Sequence, residues 1–297
     1  MVAGELASPP PPVSAPITST SYQDILDRVS SLLPAADGFE CYPFRIGSYN
    51  DVVGPEFQLA HPQDAMGVLV VSTPAMFDVS FKRWVRDESS KAASFDDFAQ
   101  ETTSPISEFI DSRIERIFQS LRNTDFEVLH DHSMTANRRP RILMCTCGHV
   151  AGAAYYYRQA DLAHRPPSTD VSGDSSSSGG DSGEDEWNPA PAATNLKFIG
   201  LSLHARYGGH FAFRCAILFP GVTLPATFTE KKPIATLRTI DEKRDALEKF
   251  NYAWRDSQFR DCGNPSERYS DTQMAYFGRA PADRWEVIRH WNEEKDE

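Results

Sequence analysis

A stretch that must turn back on itself does most to limit what this chain can become. Lys197 to Leu203 and His210 to Phe219 both read as strands, and only His204-Ala205-Arg206-Tyr207-Gly208-Gly209 separates them. Adjacent glycines admit the backbone of a tight reversal, so the two runs are expected to pair as a β-hairpin that ends at Pro220-Gly221. A hairpin starts an antiparallel sheet, and other runs can join it. Phe39 to Phe44 alternates, and Val68 to Val71 is a short apolar run before Ser72-Thr73-Pro74, as in a buried strand.

The helices carry their own punctuation. Ser21 can cap a helix in which Tyr22, Ile25, Leu26, Val29, Leu32 and Leu33 share a face, before Pro34 stops it. Pro105 opens the strongest helix, which reaches about Leu121 with Ile106, Phe109, Ile110, Ile114, Ile117, Phe118 and Leu121 as its apolar stripe. Thr239-Ile240-Asp241-Glu242 is a capping box for a helix to about Phe250, and shorter helices are expected over 270–277 and 282–291. Arg139 to Val150 is open to strand or helix. Helix is favoured because Asn137 can cap, Pro140 suits a first turn and Gly152 stands where a helix would end. Tyr155 to Tyr157 would then leave as a strand.

Interleaved helices and antiparallel strands, without an internal repeat, predict one α+β domain over 21–297. Residues 1–20 are rich in Pro, Ser and Thr and are expected to be disordered. Residues 168–187 hold six acids and no Lys or Arg, and read as a flexible surface insertion because they offer little to bury against their ordering entropy.

Hydrophobic residues make up 40% of the 297, enough for a real core. A net charge of −12 argues against a general nucleic-acid binder, which needs clustered Lys and Arg. No apolar run approaches the ~20 residues that span a bilayer. The five cysteines, Cys41, Cys145, Cys147, Cys215 and Cys262, are odd in number and scattered, unlike a disulfide framework. The N-terminus has no apolar core and its first basic residue is Arg28, so neither a secretory signal nor a transit peptide is expected, and the cytoplasm is the simplest compartment. Gly-x-Gly-x-x-Gly, a Walker loop and a Gly-x-Ser-x-Gly elbow are all absent. Cys145-x-Cys147 lacks the second pair of a zinc site and reads as core or half-exposed thiols. The Asp-x-His-x-x-Gly signature, by which some cobalamin enzymes supply a lower axial histidine, is missing.

What gives these blocks a common meaning is their order. Tyr42-Pro43-Phe44 with Tyr49-Asn50, Ser72 to Asp78, Asn137-Arg138-Arg139-Pro140, His149 to Tyr157, Arg206 to Gly209, Phe211 to Arg214, Asn251 to Asp256, Phe259-Arg260-Asp261 and Glu267 to Ser270 follow one another as in the CblC family of cobalamin-processing proteins. The resemblance runs from about Phe39 to about Arg284, skipping the acidic insertion. It implies a fold similar to the nitroreductase/flavin-reductase proteins, an antiparallel sheet flanked by helices. It also implies a cobalamin-binding chaperone and enzyme that holds cobalamin base-off and removes its upper axial ligand. Alkyl groups would leave by attack of glutathione, and cyanide by reduction with FMN or FAD.

The same resemblance implies the site. Arg214, Arg260 and Arg284 match the family arginines for glutathione, whose two carboxylates suit guanidinium forks. Arg214 stands out from the residues alone, as a charge inside the apolar run Phe211 to Phe219. His149 matches a histidine near the cobalamin; as a plain helix-terminal histidine it would instead favour its charged form. Thr73, Pro74, Ala75, Met76 and Phe77, with Gly152, Ala153, Tyr155, Tyr156 and Gly200, are expected along the cobalamin cavity, where Gly and Ala let a corrin approach the backbone. Asn137, Arg138, Arg139 and Pro140 match a loop through which loaded family members dimerise, so a monomer or a ligand-induced homodimer is expected. A CblD-like trafficking protein and methionine synthase are the implied recipients, with neither nucleic acid nor membrane as partner.

Some positions depart from the family. His210 replaces a Trp, so aromatic stacking there is open, and Ser257 and Phe259 replace a Trp and a Tyr near the glutathione arginines. Two alternatives stand beside this reading, a non-catalytic cobalamin carrier, which Ser257 and Phe259 favour, and a flavin-dependent nitroreductase-like oxidoreductase.

Overall fold

The computed structural model describes residues 21–162 and 197–293; the tail 1–20 and the acidic insertion 168–187 lie outside the described residues. In chain order the elements are α1 (Tyr22–Leu32), β1 (Phe39–Arg45), α2 (Ile46–Asn50), β2 (Ala65–Ser72), α3 (Lys82–Ser89), α4 (Phe95–Glu101), α5 (Pro105–Ser120), β3 (Glu127–His130), α6 (Met144–Val150), β4 (Tyr155–Tyr157), β5 (Leu201–Leu203), β6 (Ala212–Thr223), α7 (Ile240–Tyr252), α8 (Asp271–Gly278) and α9 (Arg284–Glu293).

Strands order as β1-β2-β6-β3, antiparallel throughout, with β4 and β5 forming a separate two-stranded sheet. All eight residues of β2 are buried, because helices cover both faces of the sheet at its centre. On one face α1, α5, α8 and α9 bury Ile25, Phe109, Tyr276 and Ile288 against Val68, Cys215 and Ile217. On the other face Phe44, Tyr49, Cys147 and Ala151 pack on Leu69 and Ala216. A third, smaller core joins Tyr157, Leu201 and Leu203 to Leu247 and Phe259. The architecture is the expected α+β domain, and among the described residues no helix is long and apolar enough to cross a membrane.

The predicted hairpin does not form. Leu201–Leu203 pairs with Tyr155–Tyr157, whereas Ala212–Thr223 enters the main sheet between β2 and β3. The glycine turn exists, closed by His204 and Gly208, but it is a corner between two sheets. Gly209 N–H donates to the Arg260 carbonyl at 2.9 Å and not to a facing strand. Tertiary partners decide this pairing, since three-residue β5 gains more by facing α7 than by prolonging β6.

The expected helix over 139–150 is also shorter. It begins at Met144, with Leu143 at its N-cap and without Asn137 or Pro140. Residues 134–140 form a small exposed reversal instead, with Arg138 left-handed at φ 56° and Met134 bridged to Pro140. The other end agrees with expectation, as Gly152 takes φ +77° just beyond the helix. Its freedom has a different use from the one expected. A Cβ there would lie 2.1 Å from the Lys231 carbonyl oxygen, so Gly152 admits neighbouring backbone at that point.

Candidate functional site

The three arginines singled out from the sequence converge. Each is delivered by a different local device. In β6 the register against β2 slips, with Val70 opposite Cys215 and Val71 opposite Phe213, which leaves Arg214 as a bulged residue. A bulge re-aims a side chain, and here it brings Arg214 to Ser72, Ile106 and Ile110 on the α5 face of the sheet. Its Nε donates to Ser72 Oγ at 2.7 Å, while its Nη2 is buried without a partner. Arg260 sits in a 3-10 turn, Gln258–Asp261. Its guanidinium lies between the rings of Phe259, at 4.9 Å, and Tyr269, at 5.2 Å. Its Nη1 donates to the Gly209 carbonyl at 2.5 Å, and its Nε is buried without a partner. Arg284 begins α9 and lies 5.2 Å over Tyr276, again with an unpartnered Nε.

Tyr269 and Tyr276 are the shared floor. Arg260 and Arg214 both act on Tyr269, and Arg284 and Arg214 both act on Tyr276. Burial raises the Tyr269 hydroxyl against that attraction, and it pushes the Tyr276 hydroxyl up to about 12. Both phenols therefore stay protonated. Burial lowers the Arg214 and Arg260 guanidiniums, yet such groups remain cationic at neutral pH. Among the described residues, none of the three forms an ion pair with a carboxylate. Arg214 is a buried cation and Arg260 and Arg284 are half-buried ones, each with a buried nitrogen left without a partner, so the arrangement suits an anionic ligand.

A cavity of about 760 Å³ opens beside this cluster. Arg260 and Phe277 form part of its wall, with Ser257, Phe259, Met274 and Trp254. Trp254 and Ile199 are 55% and 71% exposed at its edge, an apolar mouth on an otherwise charged surface. Arg214 instead borders a much smaller cavity beside Asp131.

Other expected positions fall elsewhere. Met76 and Phe77 are fully enclosed in the core, inside a π-helical turn, Met76–Phe81. Thr73 and Pro74 are buried and Ala75 half-buried beside them, and none of Thr73 to Phe77 lines the large cavity. Ala153 is buried in the core behind α6. Gly200 has no side chain because a Cβ would stand 2.4 Å from the Tyr156 ring. Tyr155 lies edge-on to His149 at 4.9 Å and packs on Tyr157 at 4.6 Å.

His149 is half-buried, and its Nδ1 accepts the Tyr156 N–H at 3.1 Å. Burial and Arg158 lower its pKa. The neutral ring with hydrogen on Nε2 is thus favoured, contrary to the helix-terminus expectation. His210, in place of the family Trp, keeps an aromatic contact, edge-on to Tyr269 at 5.3 Å. Its Nδ1 accepts the Tyr269 N–H at 3.3 Å, so Nε2–H donates to Asp261 at 3.1 Å. Phe259 supplies a face for Arg260 where the family has Tyr.

One cluster was not singled out from the sequence. Glu40 on β1 accepts hydrogen bonds from Tyr42 and from Tyr207, the latter at 2.7 Å. His204 receives the Arg206 and Tyr207 N–H groups on Nδ1, at 3.1 and 3.3 Å. Its Nε2–H therefore faces Tyr42 Oη at 3.0 Å and Glu40 at 3.3 Å. Burial raises the Glu40 carboxyl, but hydrogen bonds from His204, Tyr42 and Tyr207 outweigh it and hold the group at about 2. The only sequence signal was a lone acid in an alternating strand.

That depressed value has a stability consequence. Relative to Glu40→Gln, the wild type should gain up to about 3 kcal/mol above the ordinary Glu value, and lose it as pH falls through about 2. Urea midpoints of both proteins at pH 6 and pH 2.5 measure this. The gap should shrink in acid, and a constant gap would contradict the assignment.

Comparisons with known proteins identify the family. The model of the methylmalonic aciduria and homocystinuria type C family matches residues 38–288. An MMACHC-like protein of Caenorhabditis elegans is 47% identical over 281 residues, covering 93% of this chain and 96% of the relative. The human cyanocobalamin reductase / alkylcobalamin dealkylase is 34% identical over 251 residues, covering 84% and 76%. A crystal structure of a Caenorhabditis elegans B12-trafficking protein CblC, a homologue of human MMACHC, aligns with a TM-score of 0.77 at 46% identity, over 91% of this chain and 96% of that one. With a family match across most of its length, this chain belongs to the methylmalonic aciduria and homocystinuria type C family.

Proposed function

We propose that this protein binds cobalamin base-off and removes its upper axial ligand, as a cyanocobalamin reductase and alkylcobalamin dealkylase. The observation that carries the glutathione half is the trio Arg214, Arg260 and Arg284, each with one buried nitrogen that has no partner and, among the described residues, no paired carboxylate. Glutathione offers two carboxylates to such forks. The apolar mouth at Trp254 and Ile199 suits a large, partly apolar ligand beside them.

The dealkylation needs no protein nucleophile. A glutathione thiol loses its proton to solvent, and the thiolate attacks the alkyl carbon. The sulfur–carbon bond forms as the cobalt–carbon bond breaks, and its electron pair stays on cobalt, which passes from +3 to +1. Arg214, Arg260 and Arg284 hold the tripeptide, so two bound reactants meet in one orientation. His149, with hydrogen on Nε2, is the donor we assign to the cobalamin side, together with Tyr155 and Tyr156. Reductive decyanation with FMN or FAD as electron source, and the nitroreductase-like character of the fold, rest on the family resemblance. The exposed reversal Asn137 to Pro140 is available for ligand-induced pairing of two copies. Cytoplasmic residence and transfer to a CblD-like protein or methionine synthase complete the reading.

The reaction itself is the test. Methylcobalamin, glutathione and purified protein, without oxygen, should yield S-methylglutathione at a rate proportional to protein. Base-off binding without that product would leave a carrier.

A further inference from the structure

The Glu40 cluster lies outside the large cavity, yet it is connected to one arginine of the proposed glutathione site. We propose that Glu40, Tyr42, His204 and Tyr207 form a positioning assembly for Arg260, which tunes the affinity for the thiol co-substrate and not for cobalamin. The inference rests on the reading of Arg260 given above.

The connection is a short chain of contacts. Glu40 and Tyr42 belong to β1, the edge strand of the rigid sheet. His204 and Tyr207 belong to the turn between the two sheets, which has no flanking hairpin to brace it. The hydrogen bonds from Tyr207 to Glu40 and from His204 to Tyr42 fasten that turn to β1. The turn in turn grips Arg260. Gly209 N–H donates to the Arg260 carbonyl at 2.9 Å, and Arg260 Nη1 donates back to the Gly209 carbonyl at 2.5 Å. Contact is so close that a Cβ on Gly208 would lie 2.4 Å from the Arg260 carbonyl oxygen. The turn also accepts the Ser266 N–H on the Arg206 carbonyl at 2.9 Å, just before Tyr269, the other ring beneath Arg260. Arg260 is therefore held at its carbonyl and at one guanidinium nitrogen, while its Nε is left without a partner.

A carboxylate is required at position 40 because both of its oxygens accept. Glu40→Gln keeps the shape but turns one acceptor into a donor facing another donor. A turn released from β1 lets Arg260 shift, and bidentate recognition falls steeply with misplacement.

The experiment is a double-mutant cycle on the full chain, with methylcobalamin as substrate and glutathione varied. Glu40→Gln should raise KM for glutathione about tenfold with little change in kcat, and leave base-off binding of methylcobalamin at its wild-type affinity. In an Arg260→Ala background the same change should alter kcat/KM by less than about twofold, because its route of action is gone. A merely structural role predicts the same loss in both backgrounds, and that result overturns the proposal. So does an unchanged KM in Glu40→Gln. Should that variant fail to fold, Tyr207→Phe removes a single hydrogen bond and is expected to raise KM about threefold in the wild-type background alone; an unchanged KM there is equally contrary. A wild-type KM in Arg260→Ala sinks the parent reading and this one together, whereas a raised KM in Arg260→Ala with none in Glu40→Gln sinks this one alone.

Discussion

Arg214→Ala should lower kcat/KM for glutathione-dependent dealkylation about a hundredfold or more, while base-off cobalamin binding persists. Removing one partner of a buried, hydrogen-bonded charge pair costs about 2–5 kcal/mol, and 3 kcal/mol is more than a hundredfold. The ligand carboxylate would be left facing Ser72 and two phenols, without a cation of its own. The stability of the unliganded protein should move the other way. Arg214 is 9% exposed, with Nη2 unpaired, so the empty protein carries a desolvated charge that binding alone relieves. Arg214→Met, of similar length and without the charge, should match or exceed the wild-type melting temperature and be inactive. A Met variant that is both less stable and fully active would show Arg214 to be a structural cation. This is the pattern of a site that trades stability for function.

Phe77→Ala should cost about 3–5 kcal/mol, a large share of the stability of an ordinary domain. The ring is fully buried and meets Phe81 and Tyr276 at 5.2 Å each, with Phe277 at 6.3 Å. The cavity left behind lies beneath Tyr276, the ring under Arg284, so affinity for glutathione should also weaken. Chemical denaturation decides between core and ligand wall. A wall position predicts a small change in stability and a large loss of cobalamin affinity, which would restore Phe77 to the cobalamin cavity.

What could be read in the chain depended on how local each signal was. Helix starts with a side-chain cap were legible because such a cap is complete within four residues, whereas uncapped α6 was expected too early. Ser21, Thr239 and Ser270 all accept backbone N–H groups as their positions suggest, and Thr239 with Glu242 closes both bonds of a capping box. Buried β2 was legible from its unbroken apolar run. Strand partners were not, because the turn at Gly208-Gly209 serves a hairpin or a corner equally well, and α7 decides the matter from beyond residue 240. β3 and the π-helical turn over 76–81 carried no strong periodic signal. Arg214 was conspicuous as a charge among apolar neighbours, but its aim comes from a one-residue slip against Val70 and Val71 that no sequence pattern marks. Arg260 and Arg284 lie in polar stretches with nothing local to set them apart. Only the fold places them over Tyr269 and Tyr276. Gly152 and Gly200 were read as room for a corrin, whereas the groups that crowd their Cβ positions in the fold are Lys231 and Tyr156, which no local pattern marks.

The most direct measurement is a visible-absorption titration of methylcobalamin with the purified protein, followed by glutathione. The account predicts a shift from the red base-on to the yellow base-off spectrum at stoichiometric protein, then loss of the methyl–cobalt spectrum when glutathione is added. A spectrum that stays base-on at saturating protein would contradict it.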